Sequence, residues 1–309
     1  MALSVPEFAS IVVAARACEI SLGALENDLR RALAKGELEG YFQPFSELKT
    51  GGFVVGHEAL VRWNHPRLGR LGPDAFIPAA ERHGLIGGLT ALVLDLGSSA
   101  CHAWRGAGVE AGLAVNLSAL TLGGAGAAEE LEAAILRNGL PAECVTLEVT
   151  ESAAGDDVAG TLENLTRLRL HGFNLSIDDF GTGYSSMQQL SRVPFTELKI
   201  DRSFVTHATE NPRLRVIVEG CLAMARSLGL RSVAEGVESQ DCRLLGQLQD
   251  PGRGRHNTGL VADAISASAL PDDLSWTMPR ALRADELRAI TDDFTQRSEE
   301  HTSELQSHH

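Results

Sequence analysis

Short apolar runs of β type recur along the chain and alternate with amphipathic segments, and this alternation restricts the fold more than any other feature. The runs cover residues 40–45, 53–61, 112–117, 144–149, 173–177, 195–200, 232–234 and 259–261. Between them, residues 131–140, 158–170, 213–228 and 241–248 carry apolar side chains at spacings of three and four, as a helix with one buried face requires. Strand and helix in repeated succession give a parallel sheet covered by helices. Eight such units in about 240 residues predict a closed TIM-type (β/α)8 barrel, a single α/β domain, over an open sheet.

The barrel is expected over residues 29–275. Residues 1–28 read as an N-terminal helical lead from an upstream domain, and residues 276–296 as a C-terminal helix with Leu282, Leu287, Ile290 and Phe294 on one face. Residues 297–309 resemble the translation of a sequencing-adapter oligonucleotide; a solvated tail is the plainer reading, and both set the segment apart from the fold. The five cysteines Cys18, Cys101, Cys144, Cys221 and Cys242 show no C-x-x-C spacing, which fits a reducing cytoplasm and argues against a zinc ribbon. The apolar stretch at 85–100 is broken by Asp95 and glycines and reads as too short for a membrane span. With 27 Lys and Arg against 41 Asp and Glu, the formal charge of −14 repels polyanions. Free DNA or RNA is thereby disfavoured, and a bound nucleotide would need cations or a few placed basic groups.

Several of the apolar runs are read as ending in a carboxylate, carboxamide or amine: Glu58, Asn116, Glu148, Asp178 with Asp179, Lys199 and Glu235. In a parallel barrel the C-terminal ends of all strands open on one face, so these side chains would converge there. Five carboxylates and an amide crowded together call for cations, and an all-oxygen set suits Mg²⁺ or Mn²⁺ better than zinc. The adjacent Asp178 and Asp179 could serve two ions with one carboxylate bridging, an arrangement suited to phosphoryl displacement. Each residue also has a plainer reading: a loop salt bridge for Glu58 or Glu148, a turn or cap for Asp178 and Asp179, a helix-dipole contact for Glu151, a solvated side chain for Lys199.

The stretch His57-Glu58-Ala59-Leu60-Val61-Arg62-Trp63-Asn64-His65-Pro66 resembles the signature of the EAL domain family, the cyclic di-GMP phosphodiesterases. The likeness continues through Gln43-Pro44, Phe76-Ile77-Pro78, Asn116-Leu117-Ser118, Glu148 to Ser152, Asp178 to Ser186, Leu198 to Phe204 and Val233 to Glu238. The resemblance implies that Glu58, Asn116, Glu148 and Asp178 hold a first metal ion and that Asp178, Asp179 and Glu235 serve a second. It implies that Lys199 contacts the attacking water, that Glu151 supports the loop after the fifth strand, and that cyclic di-GMP opens to linear pGpG. It also implies substrate contacts at Glu58 and Leu60, a phosphate grip by Arg62, a guanine near Gln43 and Asp201, and a homodimer formed through the segment 181–186.

The likeness breaks near the last run. Where the family has Gln-Gly-aromatic, this chain reads Arg253-Gly254-Arg255-His256-Asn257-Thr258-Gly259, with Thr258 at the glutamine position. Thr258 or Asn257 could substitute in placing water, or the stretch could be damaged sequence. The rival to an enzyme is a degenerate domain that binds cyclic di-GMP or a protein partner without turnover; a bare dimerisation scaffold is the third reading.

Overall fold

The computed structural model describes residues 22–47, 53–106, 108–109, 111–124, 126–150, 158–182, 186–237 and 260–262. Helix α1 (Leu22–Lys35) leads into β1 (Leu38–Glu47) and β2 (Phe53–His65), which run antiparallel from Leu38 opposite Trp63 to Glu47 opposite Phe53. After β3 (Gly69–Leu71), α2 (Ile77–Arg82) and α3 (Ile86–Gly106), strand and helix alternate. The succession is β4 (Gly112–Leu117), α4 (Ala119–Leu122), α5 (Ala127–Leu136), β5 (Val145–Thr150), α6 (Val158–Leu170), β6 (Asn174–Phe180) and α7 (Ser186–Arg192). It ends with β7 (Glu197–Ile200), α8 (Arg202–Val205), α9 (Pro212–Leu228), β8 (Arg231–Ala234) and β9 (Leu260–Ala262).

The sheet order is β1-β9-β8-β7-β6-β5-β4-β2, and β1 also pairs with β2, so eight strands close a ring with β3 appended to β2. This is the α/β barrel expected, with one correction. The sheet is not parallel throughout: β1 runs antiparallel to both β2 and β9. A crossover between parallel strands needs a dozen or more residues. The gap between residues 47 and 53 is far shorter, so only a hairpin fits there.

Alternation along each strand sorts its side chains between the two faces of the wall. Leu113, Val115, Leu147, Val149, Leu175, Ile177, Leu198 and Ile200 point outward and form one core with Leu131, Ile135, Leu165, Leu168 and Leu222 of the helices. Val61, Trp63 and Leu71 join a second core with Leu25, Leu29, Phe76 and Ile86. The barrel interior is tight, and a Cβ at Gly56 would overlap the ring of Phe45.

Other boundaries shift for local reasons. The helix expected at 131–140 is α5, which begins earlier and stops before Gly139, whose φ is +70°, and Pro141. The run at 195–200 is strand only from Glu197, whereas β2 and β6 extend past the expected 61 and 177. The expected helix at 213–228 is α9, with the Asn211 side chain accepting from the Arg213 amide, Pro212 in the first turn and Gly229 left-handed at its end. The division placed at residue 28 falls inside α1, whose Leu25, Leu29 and Ala32 are buried in the second core. Helix α3 is by length and composition apolar enough to cross a membrane, contrary to the reading of 85–100 as too short. Its Leu94, Ala100, Cys101 and Trp104 pack into the core around the barrel, as in a core helix. The helices expected at 241–248 and 276–296 and the tail 297–309 lie outside the described residues.

Candidate metal and catalytic site

Six strands deliver the polar residues to one mouth of the barrel. Asn116 pairs in register with Glu148, and Thr150 with Asp178, so β4, β5 and β6 are staggered by the barrel's shear. Glu58 departs from the expected strand end, since β2 runs on to His65. It does stand near the end of the ladder that β2 shares with β4, where Gly56 to Ala59 pair with Gly112 to Val115. Glu235 follows β8, its amide held by the Ile200 carbonyl at 3.1 Å.

At the centre stands Lys199, 4 % exposed and not the solvated lysine of the plainer reading. Its Nζ lies 2.7 Å from Glu235, 3.0 Å from Glu148, 3.1 Å from Asp178 and 3.7 Å from Glu58. Asn116 Nδ2 donates to Glu58 Oε1 at 2.7 Å. Burial works against the ammonium, but Glu148, Glu58, Asp178 and Glu235 outweigh it and hold the lysine well above its ordinary range. Burial likewise drives the Glu148 carboxyl well above the usual carboxylate range, with Lys199 pulling the other way. Glu235 is pushed up to about 7 by burial, again against the pull of Lys199. One ammonium does not balance this many acids.

The adjacent Asp178 and Asp179 pose a geometric question, since neighbours on a regular strand face opposite sides. The register between β6 and β7 slips between Ile177 and Phe180, and Asp179 takes a left-handed φ of +53°. This bulge turns the second carboxylate toward the first. One oxygen each from Asp178, Asp179 and Glu235 can lie within 4.8 Å of the others, a set able to hold a metal ion. Asp179 is raised by burial first, then by Asp178 and Asp201. Asp201 caps α8, accepting from the Ser203 amide at 3.0 Å and from the Ser203 hydroxyl.

Gln43 stands opposite Glu58 in register and lines the same cleft as Glu58, Glu148, Lys199 and Glu235. Leu60 and Arg62 continue the Glu58 face of β2 toward His65. Arg62 is half-buried, with its guanidinium 5.5 Å from the Tyr41 ring centre and Nη1 donating to the Val61 carbonyl at 3.0 Å. Glu151, Thr258 and residues 183–185 of the expected dimer segment lie outside the described residues. The sequence reading passed over Tyr41 and Arg70; their signal was alternation, which puts Tyr41 on the face of Gln43 and Arg70 on that of Asn64.

The EAL domain family matches residues 26–248 of this chain. Among curated relatives, a bifunctional diguanylate cyclase/cyclic di-GMP phosphodiesterase MucR of Pseudomonas aeruginosa is 42 % identical over 217 residues, 70 % of this chain and 32 % of that protein. The cyclic di-GMP phosphodiesterase RocR of the same organism is 38 % identical over 217 residues, 70 % of this chain and 55 % of that protein. The chain thus spans from about a third to about half the length of these relatives. A solved structure of a MucR phosphodiesterase in complex with c-di-GMP superimposes with a TM-score of 0.68 at 39 % identity, covering 77 % of this chain and 94 % of that one. An eight-stranded barrel with the EAL signature on β2 and a family match over most of its length place this chain in the EAL domain family.

Proposed function

We propose that the chain hydrolyses cyclic di-GMP to linear pGpG with two divalent ions, Mg²⁺ or Mn²⁺, in the cytoplasm. The observation that carries this reading is the cluster of five carboxylates around one buried ammonium at the barrel mouth. Fully ionised, Glu58, Glu148, Asp178, Asp179 and Glu235 leave four negative charges uncompensated by Lys199, and two divalent ions would supply the balance. The raised carboxyl groups of Glu148 and Glu235 express the same demand for positive charge. Glu58, Asn116, Glu148 and Asp178 would hold one ion, and Asp178, Asp179 and Glu235 the other. Such ions acidify a water and neutralise charge on phosphoryl oxygens.

Lys199 would donate to the attacking water and hold it in line with the scissile bond to the departing 3′ oxygen. Arg62 would grip a phosphate, Gln43 and Asp201 would border a guanine, and Glu58 and Leu60 would contact the substrate; Glu151 would brace the loop after β5. A homodimer through residues 181–186 completes the proposal. The activities named for MucR and RocR support it, as does the complex with c-di-GMP at 39 % identity.

The test is chromatographic conversion of cyclic di-GMP to pGpG with Mg²⁺ or Mn²⁺, abolished by EDTA. Glu58→Ala should lower turnover at least about a hundredfold. Wild-type rates in that variant would refute the metal assignment. Tight binding of cyclic di-GMP with no product at stoichiometric substrate would establish the second reading, a binding-only domain, which Thr258 at the family's glutamine position favours.

A further inference from the structure

Beyond the metal cluster, the face of β1 and β2 that carries Gln43 and Glu58 continues outward as a wall with its own chemistry. Alternation places Glu39 and Tyr41 on that face of β1 and Leu60 and Arg62 on that of β2. It extends to β3, where Arg70 stands opposite Asn64, whereas Leu71, opposite Trp63, is buried on the other side. Each step of two residues moves about 7 Å along the wall, so Tyr41 lies one step beyond the level of Gln43 and Glu58.

Two guanidinium groups converge on the Tyr41 ring, with Arg62 at 5.5 Å and Arg70 at 5.8 Å from its centre. Arg70 Nη1 also donates to the Tyr41 hydroxyl at 3.4 Å. Neither arginine takes part in an ion pair among the described residues, although Glu39 faces Arg62 in register. Glu39 Oε2 is instead buried without a hydrogen-bond partner. Burial first, and then the like charge of Arg70, pull the Arg62 guanidinium below its ordinary range, while Tyr41, Asp74 and Glu58 pull the other way. An anion between them would turn the repulsion into a clamp, since guanidinium groups match phosphate oxygens in pairs.

We infer that Arg70, together with Arg62 and braced by Tyr41, binds the second phosphodiester of the cyclic dinucleotide, the one facing away from the metal cluster. This rests on the functional reading above and deepens it. A cyclic dinucleotide carries two phosphodiesters in one ring. With one at the metals, the other projects along a wall; there Arg62 and Arg70 stand two and three strand steps beyond Glu58, and their guanidinium groups reach back to the Tyr41 ring, one step beyond it. Arg70 is exposed on a short strand, so its role is affinity for the intact dinucleotide and not the placing of the attacking water.

The experiment measures kcat and KM for cyclic di-GMP in wild type, Arg70→Ala and Arg70→Lys over a range of salt concentrations. Arg213→Ala on α9 serves as the control for loss of one surface charge. Arg70→Ala should raise KM about tenfold with kcat changed less than about twofold, and flatten the dependence of log KM on log salt. Arg70→Lys should recover part of the loss. An unchanged KM or an unchanged salt slope in Arg70→Ala, with wild-type turnover present, overturns this inference alone. If the wild type binds without turnover, the same comparison is made on the dissociation constant with the same criteria. Wild-type protein that neither turns over nor binds cyclic di-GMP overturns the functional reading, and this inference with it.

Discussion

Two basic side chains on opposite faces of the barrel wall, Lys199 buried and His57 half-buried, are driven in opposite directions by their surroundings. Lys199 points inward among four carboxylates and is held charged. His57 points outward from β2, its ring 4.5 Å from that of Trp104 on α3, and burial alone pushes its pKa down to about 4. Its Nδ1 has no hydrogen-bond partner, and neither does Trp104 Nε1. Burial by itself favours the neutral form of a base; only partners reverse the outcome. Adjacent positions on one strand, Glu58 and His57, thus belong to two different electrostatic regimes.

The comparison is open to direct attack. The largest effect is expected from Lys199→Met, which leaves the surrounding carboxylates without their ammonium. In metal-free buffer at neutral pH this should cost about 3–5 kcal/mol in urea unfolding, and millimolar Mg²⁺ should restore much of it. Metal-free stability equal to wild type would show that the ammonium is not the balancing charge. Turnover should be lost in the same variant.

His57→Leu addresses the other side of the wall. The folded state keeps His57 neutral down to about pH 4, while in the unfolded chain the imidazole takes up its proton near its ordinary pKa of 6.5. Between those values the unfolded state binds more protons, so stability is lost as pH falls through that window. The full effect is about 3 kcal/mol, and His57→Leu should remove it from the acid limb of a stability profile followed by denaturant unfolding. An acid limb of unchanged depth would mean that His57 finds a partner when protonated.

The smallest effect belongs to Gly236, which follows Glu235 with φ +62° and would bring a Cβ to 2.7 Å from that of Arg202. Gly236→Ala should cost about 1–2 kcal/mol and displace Glu235, read as a lowered melting temperature together with weaker activation by metal. A variant with unaltered metal activation would show that the turn does not position Glu235.

How much of this was legible in the residues follows from the range over which each signal acts. Asn116, Glu148, Asp178 and Lys199 could be placed together in advance, because strand order and strand ends are local signals and a barrel converts them into one mouth. The direction of β1 was also legible, in the short gap before β2, but alternation of strand and helix masked it. The strand Gly69–Leu71 is too short for any period to show, and it exists only because β2 extends past the barrel to meet it. The state of Lys199 was not legible at all: a lone lysine reads as solvated, and only the convergence of Glu58, Glu148, Asp178 and Glu235 around it makes it a buried counter-charge. Asp179 is similar, since a left-handed aspartate in a bulge depends on the slip in register against β7.

The closing of the ring carries a consequence for how the molecule assembles. β1 and β2 meet in a long ladder between near neighbours in sequence, whereas among the described residues β1 and β9 share the pairs Ser46 with Ala262 and Glu47 with Val261. That seam joins residues more than two hundred positions apart, so its loop-closure entropy is larger than that of the hairpin. Contact order therefore favours the hairpin as the earlier pairing and the seam as the later one, an order that native-state hydrogen exchange would read as weaker protection at Ser46 and Glu47 than at the centre of the β1–β2 ladder.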